Sequence, residues 1–150
     1  MKRLIGSACR RSESGFTLAE VIISIGIAAI SVGGIIYGYI LAARRAEWST
    51  NSSAAQLMAM RRLEQARAAK WDPLGYPPVD EVVQGNFPVV VTNLNVPLNS
   101  TNVVLATNVT TISSVSADPP LKMVRVDCSW SLLSRGPFTN TVITYRAPDQ

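Results

Sequence analysis

One acidic residue stands where an acid is costly. From Phe16 to Ala43 the only charged side chain is Glu20, in a run otherwise apolar or small. A carboxylate deep in a membrane-spanning helix costs about 2.5–3.5 kcal/mol on insertion scales, and less near the end of the span. Glu20 lies four residues beyond Phe16, which itself follows Gly15. Cleavage between Gly15 and Phe16 would leave a free α-amine one helical turn from that carboxylate, at the positive end of the helix dipole. In a bundle of identical helices, the amine of one chain can meet the Glu20 of its neighbour and neutralise both charges at low dielectric. A glutamate snorkelling to lipid headgroups is the plainer alternative.

Other chemistry is thin. The 150 residues contain no histidine, which excludes histidine-based triads, general bases and metal ligands. Cys9 and Cys128 are too few for a zinc site or a disulfide framework. Cys128 reads as a small hydrophobe on a strand. Asp72, Asp80, Glu81 and Asp118 are scattered, with no Asp-x-Asp-x-Asp loop, so 72–81 is a weak calcium candidate. Three Asn-x-Ser/Thr triplets, at Asn51, Asn99 and Asn108, match the glycosylation sequon by chance in an Asn- and Thr-rich chain. No catalytic residue, metal ligand or cofactor is assigned.

The elements that must position Glu20 follow from charge and hydropathy. Val21 to Ala43 is an uncharged stretch, VIISIGIAAISVGGIIYGYILAA. As a helix it would be about 34 Å long, enough to cross a hydrocarbon core of roughly 30 Å. It lacks the polar face of a soluble surface helix, and Tyr37 and Tyr39 suit a membrane–water interface. Lys2, Arg3, Arg10 and Arg11 precede it, while Arg44 and Arg45 follow. The positive-inside rule therefore keeps the N-terminus cytoplasmic and sends the remainder across. The apolar run is too long for an ordinary signal peptide and no Ala-x-Ala site ends it. The polar leader stops abruptly at Gly15, which places processing before the span. The formal net charge of +4 is thus concentrated beside the apolar segment, and residues 71–150 are net −2.

The string Gly15-Phe16-Thr17-Leu18-Ala19-Glu20, after a short basic leader and opening an apolar helix, resembles the class III prepilin motif. That motif is shared by type IV pilins and the pseudopilins of type II secretion systems. The resemblance covers residues 1 to about 45. It implies cleavage between Gly15 and Phe16 by a membrane-embedded prepilin peptidase, N-methylation of Phe16, and assembly into a filament through Phe16 amine–Glu20 pairing. It also implies other pilin or pseudopilin subunits, an inner-membrane assembly platform and the lipid bilayer as partners. The proline common in the second half of type IV pilin spans is missing; Gly33, Gly34 and Gly38 lie there instead. They could allow local unwinding, or close helix approach through Gly34-x-x-x-Gly38.

Beyond the span, Arg44 to Lys70 contains no Pro or Gly, and one helix from Phe16 to Lys70 is expected. Trp48, Ala55, Met58/Ala59, Arg62/Leu63 and Ala66 recur at helical spacing, Glu64 and Arg67 form an i, i+3 pair, and Pro73 stops the helix. The Arg pairs are a solvated face, and no nucleic-acid partner is expected. Residues 72–86 read as a loop. Four β-rich runs follow at 87–94, 102–115, 121–133 and 138–147, with turn signals at Pro97/Asn99, Asp118-Pro119-Pro120 and Arg135-Gly136-Pro137. Alternation puts Val124, Val126, Cys128 and Trp130 on one face, against the helix.

The expected fold is α+β and pilin-like: a long N-terminal helix, its first half transmembrane, its second half packed on a small antiparallel sheet. The expected divisions are a removed leader 1–15, an assembly helix 16–43, an amphipathic extension 44–71 and a periplasmic head 72–150. The expected function is a structural, non-enzymatic subunit of a type II secretion-like filament, a minor pseudopilin in the bacterial inner membrane. The alternatives are a minor type IV pilin for adhesion, motility or DNA uptake, and a signal-anchored periplasmic enzyme or receptor.

Overall fold

A computed structural model describes residues 15–94, 96, 103–132 and 135–149. The basic leader residues Lys2, Arg3, Arg10 and Arg11, the leader cysteine Cys9 and the turn signal at Pro97/Asn99 lie outside the described residues. Contacts divide the chain between Ala43 and Arg44 into two compact units.

Helix α1 runs from Leu18 to Ala68. Its N-terminal part, to Ala43, is the described helix of the first unit. It is long and apolar enough to cross a membrane, and none of the apolar window is buried in the chain's own fold. Ile and Val are only moderate helix formers in water. In a bilayer the helix is favoured for another reason: it satisfies every backbone N–H and C=O within the segment. This apolar helix fits a membrane anchor.

The second unit begins with the remainder of α1 and continues into strands. Asn51, Ala55, Ala59, Leu63 and Ala66 are its buried helical positions, spaced by three or four and so on one face. Short β1 (Trp71–Asp72) and β2 (Val79–Asp80) pair antiparallel, and a 3-10 turn spans Gln84–Asn86. Strands β3 (Val90–Asn93), β4 (Leu105–Ala117), β5 (Pro120–Leu132) and β6 (Arg135–Arg146) then form an antiparallel meander in the order β3-β4-β5-β6. One long apolar N-terminal helix followed by a small antiparallel sheet is the α+β, pilin-like architecture expected.

The core lies between the helix and the sheet. Val124, Val126, Cys128 and Trp130 alternate inward on β5 and join Ala55, Ala59, Leu63 and Ala66 in one buried cluster. Each such valine contributes roughly 1.5–3 kcal/mol by leaving water. Three alanines on the helix face leave room for Trp130, the largest fully buried side chain. Its indole Nε1 donates to Asn140 Oδ1 at 2.9 Å, and Asn140 Nδ2 donates to Ser52 Oγ at 3.1 Å, tying β6 to the helix. Arg146 donates to the Ala66 carbonyl at 2.8 Å, satisfying a carbonyl at the helix C-terminus.

Three expectations needed correction. The buried stripe contains Asn51, whereas Trp48 is exposed and leans edge-on against Phe138, ring centroids 6.2 Å apart. Asn51 lies in the stripe with its Nδ2 donating to the Glu47 carbonyl, while its buried Oδ1 has no hydrogen-bond partner among the described residues. Residues 72–86 are more than a loop, since they contain the second residue of β1, the whole of β2 and the 3-10 turn. Arg135-Gly136-Pro137 belongs to β6: Leu132 pairs with Arg135, and the register shifts between Trp130 and Leu132. Gly136 sits there at φ +116°, a conformation side-chain-bearing residues rarely adopt, so the glycine marks a bulge and not the turn itself.

Candidate assembly site at the helix N-terminus

A helix leaves its first N–H groups without intrahelical acceptors. Here Thr17 and Glu20 supply them to each other. The Thr17 N–H donates to Glu20 Oε2 at 2.8 Å, and the Thr17 hydroxyl donates to the same oxygen at 3.0 Å. In return the Glu20 N–H lies 3.2 Å from Thr17 Oγ1. This is the reciprocal capping box, in which a threonine and a glutamate three residues later close the helix end. The Thr-x-x-Glu pattern was present in the sequence, and attention to Glu20 alone passed over Thr17.

The box has a chemical consequence. Both contacts fall on Oε2, and among the described residues Oε1 has no hydrogen-bond partner. The carboxylate can therefore hold the helix start and still accept an external cation. Phe16, next to the box, is 87% exposed. A Cβ added at Gly15 would meet nothing within 4 Å, so no contact among the described residues requires glycine there. Gly15, Phe16 and Glu20 are thus brought together by local sequence, with Thr17 between them.

Gly33, Gly34 and Gly38 lie further along the same helix. The helix runs through them unbroken, and a Cβ at any of the three would meet open space. Each glycine costs an interior helical position about 0.8–1.0 kcal/mol relative to alanine, and no close contact among the described residues offsets it.

The remaining carboxylates do not converge. Asp72 Oδ1 accepts from the Gly75 N–H at 2.7 Å, and Glu81 Oε2 from the Lys70 N–H at 2.8 Å. Asp80 is bonded by the Lys122 ammonium, which also donates to the Val82 carbonyl at 2.7 Å and lies 4.7 Å from the Trp71 ring centre. No group of three or more His, Cys, Asp or Glu gathers among the described residues. The 72–81 segment is therefore organised by a lysine, and the calcium candidate has no assembled ligand set. Cys128 is buried on β5, and that burial pushes its thiol pKa up, away from the reactive thiolate.

The comparison that decides the reading falls on the N-terminal segment. Residues 10–36 match the prokaryotic N-terminal methylation motif. This is the class III prepilin leader, and the match agrees with a type IV pilin-like family. It takes in Gly15, Phe16, the Thr17–Glu20 box and the apolar helix as far as Ile36. Neither the curated proteins nor the solved structures give a match. The motif supports a pilin-like or pseudopilin subunit, a structural class and not an enzymatic one. It implies processing by prepilin peptidase and assembly with other pilin subunits.

Proposed function

We propose that the chain is a minor pseudopilin, a structural subunit of a periplasmic filament in a type II secretion-like system. Its leader, residues 1–15, is removed between Gly15 and Phe16, and the new Phe16 amine is methylated. Residues 16–43 hold the subunit in the inner membrane with the N-terminus cytoplasmic, residues 44–71 extend the helix, and the head, residues 72–150, lies in the periplasm. An assembly platform in the membrane receives the subunit. Gly34 and Gly38, with Gly33, serve helix packing or unwinding within the filament.

The observation that carries this reading is the Glu20 carboxylate with one oxygen engaged by Thr17 and the other without a partner among the described residues. The capping box orients the carboxylate at the helix start, so the Phe16 amine of a neighbouring subunit can approach Oε1 without unwinding the turn. A charge pair formed there stabilises docking most when lipid surrounds it, because the low dielectric strengthens the attraction. Glu20→Leu removes the acceptor while leaving Gly15 and Phe16 unchanged. The variant is expected to be cleaved like wild type and to be lost from sheared or cross-linked filament fractions. Incorporation at the wild-type level would refute the pairing.

A further inference from the structure

The head has two ends, and the chain enters it from the apolar span at one of them. Trp48 leans on Phe138, which sets the first turns of the helix in the head beside the start of β6. Phe138 pairs with Trp130, and Trp130 with Ala106, so Leu105 at the start of β4 belongs to the same end. The far end is marked by Arg146, which reaches the Ala66 carbonyl. Trp48 and Ala66 are about 27 Å apart along the helix, at ~1.5 Å per residue.

Charge separates these ends. Residues 44–50, 103–108 and 135–140 make up the near end, with Arg44, Arg45 and Arg135 against Glu47. None of the three arginines forms an ion pair among the described residues. Residues 70–81, 114–122 and 146–149 make up the far end. There Asp72, Asp80, Glu81, Asp118 and Asp149 outnumber Lys70, Lys122 and Arg146. Both ends expose apolar side chains: Trp48, Val103 and Leu105 at the near end, Leu74 and Tyr76 at the far one. The near end alone joins them to an excess of positive charge. An exposed tryptophan with apolar neighbours and arginines suits the headgroup layer of a membrane, where rings and stems meet the acyl boundary and guanidinium groups meet phosphate.

Chain connectivity supplies the occupant. Trp48 follows Ala43, the last residue of the apolar stretch, by five residues, a rise of about 7.5 Å in the unbroken helix α1. The polar layer on each side of a hydrocarbon core is roughly 5–8 Å deep. We propose that the near end of the head rests on the bilayer that holds the span, with Arg44, Arg45 and Arg135 on anionic phospholipid headgroups and Trp48 and Leu105 against the acyl boundary. Repulsion from the same headgroups keeps the acidic far end off the surface. The contact holds the head of a waiting subunit at the membrane and is given up when the subunit leaves for a filament. It rests on the proposed function only in requiring that the span be inserted in lipid.

The test reconstitutes the full-length chain into vesicles of phosphatidylcholine mixed with phosphatidylglycerol, doped with a lipid that carries a nitroxide quencher on its headgroup. Two variants are compared, Leu105→Cys and Val115→Cys, each with Cys9→Ser and a fluorophore on the new thiol; Cys128 is buried. The two positions lie on one strand, are 57% and 52% exposed, and stand about 33 Å apart at ~3.3 Å per residue. The expected result is strong quenching at position 105 and little at 115. Adding Arg135→Glu weakens the hold at position 105 at least about fivefold, the scale of one basic residue at an anionic surface. Pure phosphatidylcholine reproduces that loss without any substitution. Equal quenching at the two positions, or quenching at 105 that persists unchanged in pure phosphatidylcholine, overturns the proposal. Flotation of the same vesicles separates the two readings. A chain that floats with the lipid but is not quenched at 105 overturns this contact alone, and a chain that does not float counts against the membrane anchor as well.

Discussion

Glu20 and Asp149 show how one carboxylate can fasten a backbone segment. Glu20 caps the first turn of α1 through Thr17. Asp149 ties the segment after β6 to Trp71: its Oδ2 accepts from the Trp71 N–H at 2.8 Å, its own N–H donates to the Trp71 carbonyl at 2.7 Å, and Arg146 pairs with it at 2.8 Å. The Trp71 N–H, and after it Arg146, hold the Asp149 carboxyl below its ordinary range. The charged form is thus favoured by folding. Its stabilisation is complete above the unfolded value near pH 4 and is lost as pH falls through the lower folded value. Asp149→Asn is therefore expected to be less stable than wild type at neutral pH, with the gap narrowing below about pH 4. Thermal melts of the full chain in detergent at several pH values check this; a gap that widens in acid would contradict it.

At the scale of elements, two features set how the head is built. Ala55, Ala59 and Ala66 are fully buried between α1 and the sheet, so the helix sits close because its facing side chains are small. Ala59→Leu should overpack that contact and cost about 1–3 kcal/mol, read as a lowered unfolding midpoint in denaturant. Lys122 is the second. Lys122→Met keeps the length of the stem but loses the bonds to Asp80 and Val82, and proteolysis within residues 72–81 is expected to quicken about fivefold, equivalent to about 1 kcal/mol of local opening. These elements differ in how far the sequence disclosed them. The helix and the inward face of β5 were legible because long stretches repeat at 3.6 or 2 residues. Thr17 was legible too, through the Thr-x-x-Glu spacing. The β1–β2 ladder was not, since two-residue strands have no period; what fixes them is Lys122, some forty residues away. Gln84 is similar: its side chain donates to the Thr110 carbonyl and accepts from the Ile112 N–H, prolonging the sheet edge beyond the first residue of β3. Such contacts depend on tertiary placement and leave no local signature. Asn51 shows the same limit, because a polar residue in a core stripe breaks the pattern that would reveal it.

At the scale of the whole molecule, the net charge of +4 divides into parts with separate meanings. The basic leader and the arginines at Arg44 and Arg45 bracket an apolar helix, and the head from residue 71 is slightly acidic. Charge of that kind orients a chain in a membrane and need not imply an anionic ligand. The match to the methylation motif covers residues 10–36, and the sheet lies wholly beyond it. One measurement bears most directly on the account: the intact mass of the protein extracted from membranes of cells that possess a prepilin peptidase. The account predicts a mature chain whose N-terminus is Phe16 carrying one added methyl group. A chain that still retains its leader, or one cut after the apolar helix, would contradict it.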